Sequence, residues 1–231
     1  MNEKIMVIIP AFNEADSIVK VINDIPKDLV SEILVVNNGS KDGTEIRARN
    51  AGATVLYEGR KGYGFACLRG IDYAKSKPDL EKPYIIVFLD GDYSDYPQEM
   101  EYLVKPILEE DYDLVIGSRR LGRRERGSML PQAVLGNVLA TALIRWFHGA
   151  KFTDLGPFRA MKFDKLLELS MEDKTFGWTA EMQVKAAKKG LKYCEVPVSY
   201  RTRIGVSKIT GTFAGTAKAG YKILWTIFRY L

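Results

Sequence analysis

Short apolar runs punctuate the first half of the chain, and each is followed by a longer stretch whose apolar positions recur at helical spacing. Ile5–Ile9, Ile33–Val36, Thr54–Tyr57, Tyr84–Leu89 and Leu114–Gly117 read as strands. Between them, helical patterns run from about Asp16 to Asp24, Asp42 to Ala51, Tyr63 to Lys75 and Gln98 to Glu109. Strands apolar at successive rather than alternate positions are buried on both faces, the habit of a parallel sheet covered by helices. The alternation predicts an α/β chain with a mainly parallel, doubly wound sheet, three layers deep, with right-handed crossovers.

The second half is less regular. A basic loop over Ser118–Ser128 leads into a helix from about Gln132 to Phe147. After Asp154-Leu155-Gly156-Pro157-Phe158-Arg159 come a helix from about Thr179 to Lys189 and a strand over Tyr193–Val198. Gly205 to Gly211 reads as a polar loop, and residues 212–231 as one amphipathic helix. Its stripe of Phe213, Ala217, Tyr221, Leu224, Trp225, Phe228 and Leu231 leaves Lys218, Lys222 and Arg229 to the side. Two fates suit such a stripe: docking on the core, or bedding at a membrane surface with the cations toward headgroups.

A chain of 231 residues can bury a full core, and at 46% hydrophobic and 27% charged it has an ordinary globular composition. The net charge of +5 and a pI near 9.0 favour anionic partners without choosing among nucleotide diphosphates, anionic lipid and nucleic acid. Cys67 and Cys194 make no metal-spacing motif, and a strand pattern from about Ile5 replaces any signal peptide, so reduced thiols in a cytoplasm are expected. No apolar run reaches the length of about 18 residues that suggests a membrane span. The nearest, Ala133 to Phe147, is interrupted by Asn137 and Arg145. His148, the only histidine, cannot by itself anchor a histidine-based metal site or a triad.

Candidate chemistry gathers where strands end. Asp90-Gly91-Asp92 follows the most apolar run, and ligands of open α/β sheets sit beyond the carboxyl ends of strands. Two hard carboxylate ligands suit Mg²⁺ or Mn²⁺, and those metals suit a diphosphate. Pro10-Ala11-Phe12-Asn13-Glu14 forms the first strand-to-helix turn, where Asn13 and Glu14 can cap the helix or bond a ribose. Asn37-Asn38-Gly39-Ser40 ends the second strand in a turn that can also present side chains to a base. Lys61-Gly62-Tyr63-Gly64 opens a helix, where backbone N–H groups favour phosphate. Arg119, Arg120, Arg123, Arg124 and Arg126 fall within eight residues, and arginine matches phosphate bidentately. Glu181 sits early on its helix, a favourable place for a carboxylate whether or not it has a further role.

The turns Pro10–Glu14 and Asn37–Thr44 and Asp90-Gly91-Asp92 occur in an order and spacing that resemble family 2 glycosyltransferases of the GT-A fold. Gly117-Ser118-Arg119, Gly156-Pro157-Phe158-Arg159, Glu195-Val196-Pro197-Val198 and Gly205-Val206-Ser207-Lys208 are similar to the polyprenyl-phosphate branch, relatives of dolichyl-phosphate mannose and glucose synthases. The seven motifs span nearly the whole chain. The resemblance implies one GT-A domain over 1–231. Within it, 1–117 would form a nucleotide-binding half, 118–211 an acceptor-side half and 212–231 a C-terminal amphipathic helix.

The same resemblance implies residue roles. Pro10, Ala11, Asn13, Glu14, Asn37, Asn38, Ser40, Lys61, Gly62, Asp90 and Gly91 would bind the nucleotide, and Asp90 and Asp92 the metal, Mn²⁺ or Mg²⁺. Asn37 and Asn38 stand where relatives commonly carry aspartate, which leaves uracil or guanine open. Ser94 stands where many relatives have glutamine, which weakens the case for a third metal ligand, although Asp95 is close by. Arg119 would lie by the diphosphate. Arg120, Arg126, Arg159, Ser207 and Lys208 would hold an acceptor phosphate, and Asp154 and Glu181 would line the acceptor side.

The implied reaction is inverting transfer of a hexose from a UDP- or GDP-linked sugar to a polyprenyl phosphate, by an enzyme held peripherally on the cytoplasmic membrane face. A phosphate monoester has its second pKa near ~6 and needs positioning more than a base. A sugar hydroxyl would need Glu181 or Asp154 as base. The rival readings are a soluble GT-A transferase with a hydroxyl acceptor, and a non-catalytic membrane- or nucleic-acid-binding module. Nucleic acid is disfavoured because the basic residues cluster in one loop without a companion motif.

Overall fold

The computed structural model describes residues 3–205 and 213–231. The predicted strands form as β1 (Ile5–Ala11), β2 (Glu32–Asn37), β3 (Thr54–Tyr57), β4 (Ile85–Phe88) and β5 (Leu114–Ser118). Between them run α1 (Ile18–Asp24), α2 (Thr44–Asn50), α3 (Tyr63–Ser76) and α4 (Met100–Glu110). The second half adds α5 (Pro131–His148), β6 (Arg159–Lys162), α6 (Phe163–Glu168), α7 (Trp178–Lys188), β7 (Tyr193–Pro197) and α8 (Phe213–Arg229).

The seven strands make one sheet in the order β3-β2-β1-β4-β6-β5-β7. All neighbours are parallel except β6, which runs antiparallel to both β4 and β5. Each central strand is buried on both sides. Met6 and Ile8 of β1 join α3, α5 and α7 in one apolar cluster, and Ile5, Val7 and Ile9 join α1 and α4 in the other. This is the three-layer core that the unbroken apolar runs require.

The order also fixes where a ligand belongs. From β1 the chain builds outward through β2 to β3, then returns to place β4 on the other side of β1. Side chains and loops therefore part at the carboxyl ends of β1 and β4, the switch point at which open α/β sheets bind ligands. The turns after these strands are Phe12–Glu14 and Asp90–Asp92.

Two elements depart from the expected pattern. Strand β6 and helix α6 were not expected, since Arg-Ala-Met-Lys has no strand-like alternation of exposed and buried positions, and all four residues are buried. The C-terminal helix does dock on the core, through α5 and α7, but by the face opposite the expected stripe. Ala219, Thr226 and Ile227 are buried, whereas Tyr221, Trp225, Phe228 and Leu231 are exposed. Small side chains at Ala219 and Thr226 allow close approach, and the bulky rings are left outside.

Candidate active site

A cavity of about 440 Å³ opens at the switch point. Its floor comes from the turn after β1 (Pro10, Ala11, Phe12, Glu14) and the turn after β4 (Asp90, Gly91, Asp92). One wall is Asn38 and the start of α3 (Lys61, Gly62, Tyr63, Ala66). Thr175, Phe176 and Arg203 complete it from the second half of the chain, so the cavity draws on residues beyond 117. Phe12, Tyr63, Ala66, Thr175, Phe176 and Arg203 were missed by sequence reasoning. Phe12 and Tyr63 lie inside quoted motifs, and the basic run Arg201-Thr202-Arg203 after β7 was a usable signal. Thr175 and Phe176 carry none.

Backbone contacts explain the wall. Phe65 donates its N–H to the Lys174 carbonyl at 3.1 Å, which brings the 173–176 loop against α3. A Cβ at Gly62 would lie 2.2 Å from the Lys174 oxygen, and one at Gly64 2.0 Å from the Asp173 oxygen. Gly62 also has φ +149°, so glycine is required there twice over. The result sets the first N–H groups of a 14-residue helix at the cavity rim, where anions are favoured.

Three of the expected nucleotide ligands bond to the first two turns themselves. Asn13, with φ 54°, donates its N–H to Ser40 Oγ (2.9 Å) and accepts from the Lys41 N–H (2.9 Å). Asn37 accepts from the Ser40 N–H and donates to Glu45. Asn13, Asn37 and Ser40 therefore lace the first two turns together, and none of the three lines the cavity. Asn38 does line it. Its amide nitrogen donates to the carbonyls of Glu58 (3.1 Å) and Arg60 (2.7 Å), and its oxygen accepts from the Gly62 N–H (2.8 Å). Both donors are spent, so only an acceptor lone pair remains for a ligand.

Asp92 is held by its neighbour. Its Oδ1 accepts from the Ser94 N–H (2.9 Å) and Ser94 Oγ (2.5 Å), which gives the glutamine-replacing serine a clear role. Its Oδ2 meets Arg203 Nη1 at 3.1 Å, and Arg203 Nη2 reaches Glu14 Oε1 at 3.4 Å. Asp90 keeps a buried Oδ1 without a partner among the described residues. Burial first, and then the charge of Asp92, push its carboxyl up to about 7. An orphaned carboxylate oxygen beside a second carboxylate suits a hard divalent cation. Among the described residues no group of three or more His, Cys, Asp or Glu could hold a metal. Asp95 is 2% exposed, and its carboxyl is pushed well up by burial and by Asp90 and Asp92. Both Asp95 carboxylate oxygens are buried without a partner among the described residues, as Asp90 Oδ1 is.

Four of the acceptor-side candidates are held by internal partners. Arg119 grips Asp154 bidentately, Nε to Oδ2 at 2.8 Å and Nη2 to Oδ1 at 2.6 Å, while its own N–H also binds Oδ2 at 2.8 Å. Burial alone would raise the Asp154 carboxyl, but Arg119 outweighs it and holds it below the usual carboxylate range. Asp154 is thus a poor base. Arg159 is wholly buried, bonded to the carbonyls of Gly156 and Thr179, and burial brings its guanidinium down to about 10. It braces the 156–159 turn.

Glu181, also wholly buried, accepts from the N–H groups of Glu172 (2.9 Å) and Asp173 (2.7 Å) and from Tyr230 Oη (2.8 Å), and pairs with Lys185. It positions the loop that carries Thr175 and Phe176. Neither Arg119, Asp154, Arg159 nor Glu181 lines the cavity. Arg120, Arg123, Arg124 and Arg126 are exposed. Ser207 and Lys208 lie outside the described residues.

Comparison with known proteins agrees with this geometry. The model of the family "Glycosyl transferase family 2" matches residues 6–169. Glycosyltransferase AglJ of Haloferax volcanii is 32% identical over 87% of this chain, which spans 64% of that protein's length. A dolichyl-phosphate hexose transferase of the same organism is 33% identical over 96% of this chain and 93% of its own. Among solved structures, glucosyl-3-phosphoglycerate synthase of Mycobacterium tuberculosis, crystallised with Mn²⁺, UDP and phosphoglyceric acid, superposes with a TM-score of 0.75. It is 25% identical, over 99% of this chain and 78% of that one. With a sheet of GT-A type, a cavity at its switch point and a family match across most of its length, the chain belongs to glycosyltransferase family 2 and is a glycosyltransferase.

Proposed function

We propose that the protein transfers a hexose from a nucleotide-diphosphate sugar to a polyprenyl phosphate, at a membrane surface and with a divalent cation. The cavity holds the donor. Asn38, with only an acceptor to offer, fits a base edge that donates, such as uracil N3–H or guanine N1–H. The start of α3, at Gly62 and Tyr63, faces the diphosphate. Asp92, with Asp90, would hold Mn²⁺ or Mg²⁺, whose charge neutralises the departing diphosphate. Donor binding resides mainly in residues 1–117, and surface contact in 212–231 together with α5.

The acceptor follows from what the site lacks. Asp154 and Glu181, the two carboxylates that could serve as base, are both committed to internal partners. A phosphate acceptor, already nucleophilic with a second pKa of about 6, needs no base. The exposed arginines of the 119–126 loop would receive it.

The observation that carries the lipid reading is the face shared by α5 and α8. Trp146 is 81% exposed and stacks on Phe147, which in turn meets Phe228 of α8 edge-on at 5.5 Å. Leu135, Leu139, Tyr221 and Trp225 extend the same exposed set. Neither helix carries an Asp or Glu, while Arg145 and Lys218 are exposed. An apolar face flanked by cations alone fits an anionic bilayer surface. No helix among the described residues is long and apolar enough to cross a membrane, so contact would be peripheral.

A panel of radiolabelled UDP- and GDP-sugars, offered with polyprenyl phosphate and Mn²⁺ or Mg²⁺, tests the reading. Label should enter the organic phase from one donor. Donor consumption with all label left in water would transfer the proposal to a hydrophilic acceptor. That alternative is favoured by the likeness to the phosphoglycerate-bound structure.

A further inference from the structure

The two cations that the donor cavity needs cannot both sit where the structure puts the first of them. Arg203 spans Asp92 Oδ2 (3.1 Å) and Glu14 Oε1 (3.4 Å), across the mouth of the carboxylate pair that suits a metal. Two further features single this arginine out. Its Nε is buried and has no hydrogen-bond partner among the described residues. Its backbone, by contrast, is fastened. The Ile204 N–H donates to the Asp92 carbonyl at 2.9 Å. Arg201, just before it, lies 3.3 Å over the Tyr93 ring and 4.1 Å over that of Tyr96, and donates to the Tyr93 carbonyl at 2.7 Å. Only the Arg203 side chain is left to move, and it is 27% exposed.

We propose that Arg203 is a stand-in cation: it pairs with Asp92 and Glu14 as the structure shows, and it passes to the donor's diphosphate when metal and nucleotide enter together. The inference rests on the metal-and-donor reading of this cavity and is independent of the acceptor. Its physical basis is competition. Asp92 Oδ1 is already held by Ser94, which leaves Oδ2 as the oxygen turned to a cation, and a guanidinium and a divalent ion on one oxygen repel each other. A diphosphate resolves the conflict because it supplies oxygens to both cations, and its geometry matches the planar guanidinium fork, Nε included. Metal binding is thereby made conditional on the nucleotide. Arg203 becomes a donor-binding residue whose pairing with Asp92 keeps bare metal out.

Mn²⁺ binding, read from the EPR signal of the free ion, tests this with no turnover involved. The full-length protein and its Arg203→Gln variant are titrated with Mn²⁺ alone, then with UDP or GDP present. Removal of the competing charge should tighten binding of Mn²⁺ alone by about tenfold or more in Arg203→Gln. The nucleotide should then improve Mn²⁺ affinity much less than in the wild type. Arg203→Lys keeps the charge and should stay near the wild type, which separates charge competition from a general loosening of the loop. Asp92→Asn should abolish the tightened binding. Equal Mn²⁺ affinity in wild type and Arg203→Gln, with nucleotide-dependent binding intact in both, overturns the role of Arg203 alone. Absence of Mn²⁺ binding in every protein with either nucleotide overturns the metal-and-donor reading on which it rests.

Discussion

The cavity at the switch point and the buried cluster around Asp154, Arg159 and Glu181 are built from the same residue types, yet they spend their polar atoms differently. Around the cavity, Asp90 Oδ1 and Arg203 Nε are buried without partners among the described residues, and Asn38 keeps one acceptor lone pair. In the cluster, Asp154 is satisfied by Arg119, Arg159 by backbone carbonyls, and Glu181 by backbone N–H groups, Tyr230 and Lys185. A buried polar group with unspent capacity is costly unless something arrives to use it, whereas a saturated one is architecture. Substitutions should therefore separate into those that remove turnover and those that remove stability.

The largest contrast is expected at Asp92. Asp92→Ala should lower transfer by about 10³-fold, the several kcal/mol that charge neutralisation at a leaving group is worth. Its melting temperature should change little, because a repelling carboxylate pair is relieved. Unchanged turnover would erase the distinction between the two regions.

Asp154→Asn should behave in the opposite way. It leaves Arg119 buried opposite a neutral amide and should cost about 3 kcal/mol of stability, measured by denaturant unfolding. The pH dependence sharpens the point. The Asp154 carboxyl is held below its ordinary value, so its contribution is fully present above the unfolded pKa of about 3.9. That contribution is lost as pH falls through the lower, folded value. The wild type should lose this share of stability below about pH 4, and Asp154→Asn should lack that component.

Gly64→Ala forces a methyl group to within 2.0 Å of the Asp173 oxygen and should cost about 2 kcal/mol while weakening nucleotide binding, since the same loop walls the cavity. Glu181→Gln keeps one acceptor for two N–H groups and should cost about 1–2 kcal/mol of stability. Turnover at saturating donor should change little, with an unshifted pH profile. A large loss of turnover with stability intact would make Glu181 a base and the acceptor a hydroxyl. The smallest effect on stability should come from Trp146→Ser with Phe147→Ser. These exposed rings contribute little to folding, but their removal should abolish co-sedimentation with anionic vesicles.

Much of this was legible in the sequence. Continuous apolar runs gave the strands and the two-sided core, and the abrupt carboxylates after Tyr84–Leu89 lie in the cavity at the switch point. Local pattern could not give the pairing of distant side chains. Nothing in Asp154 or Arg119 alone says that each neutralises the other, so both read as reactive groups. Arg159 was read as a phosphate ligand from the family resemblance alone, and nothing in the local sequence shows that β6 buries it entirely. The tail's aromatic stripe dominated the helical pattern. Docking was decided by Ala219 and Thr226, whose small size is invisible to hydrophobic patterning. Thr175 and Phe176 reach the cavity only through a loop fixed by a buried Glu181, a long-range contact that leaves no motif.

The most direct test of the account offers labelled donor to polyprenyl phosphate and to the unphosphorylated polyprenol side by side, with Mn²⁺ present. Label should enter the phosphate alone, with Asp154→Asn and Glu181→Gln, where folded, still active. Comparable transfer to the free alcohol, lost in either of those variants, would mean that the enzyme supplies a base and that its acceptor is a hydroxyl.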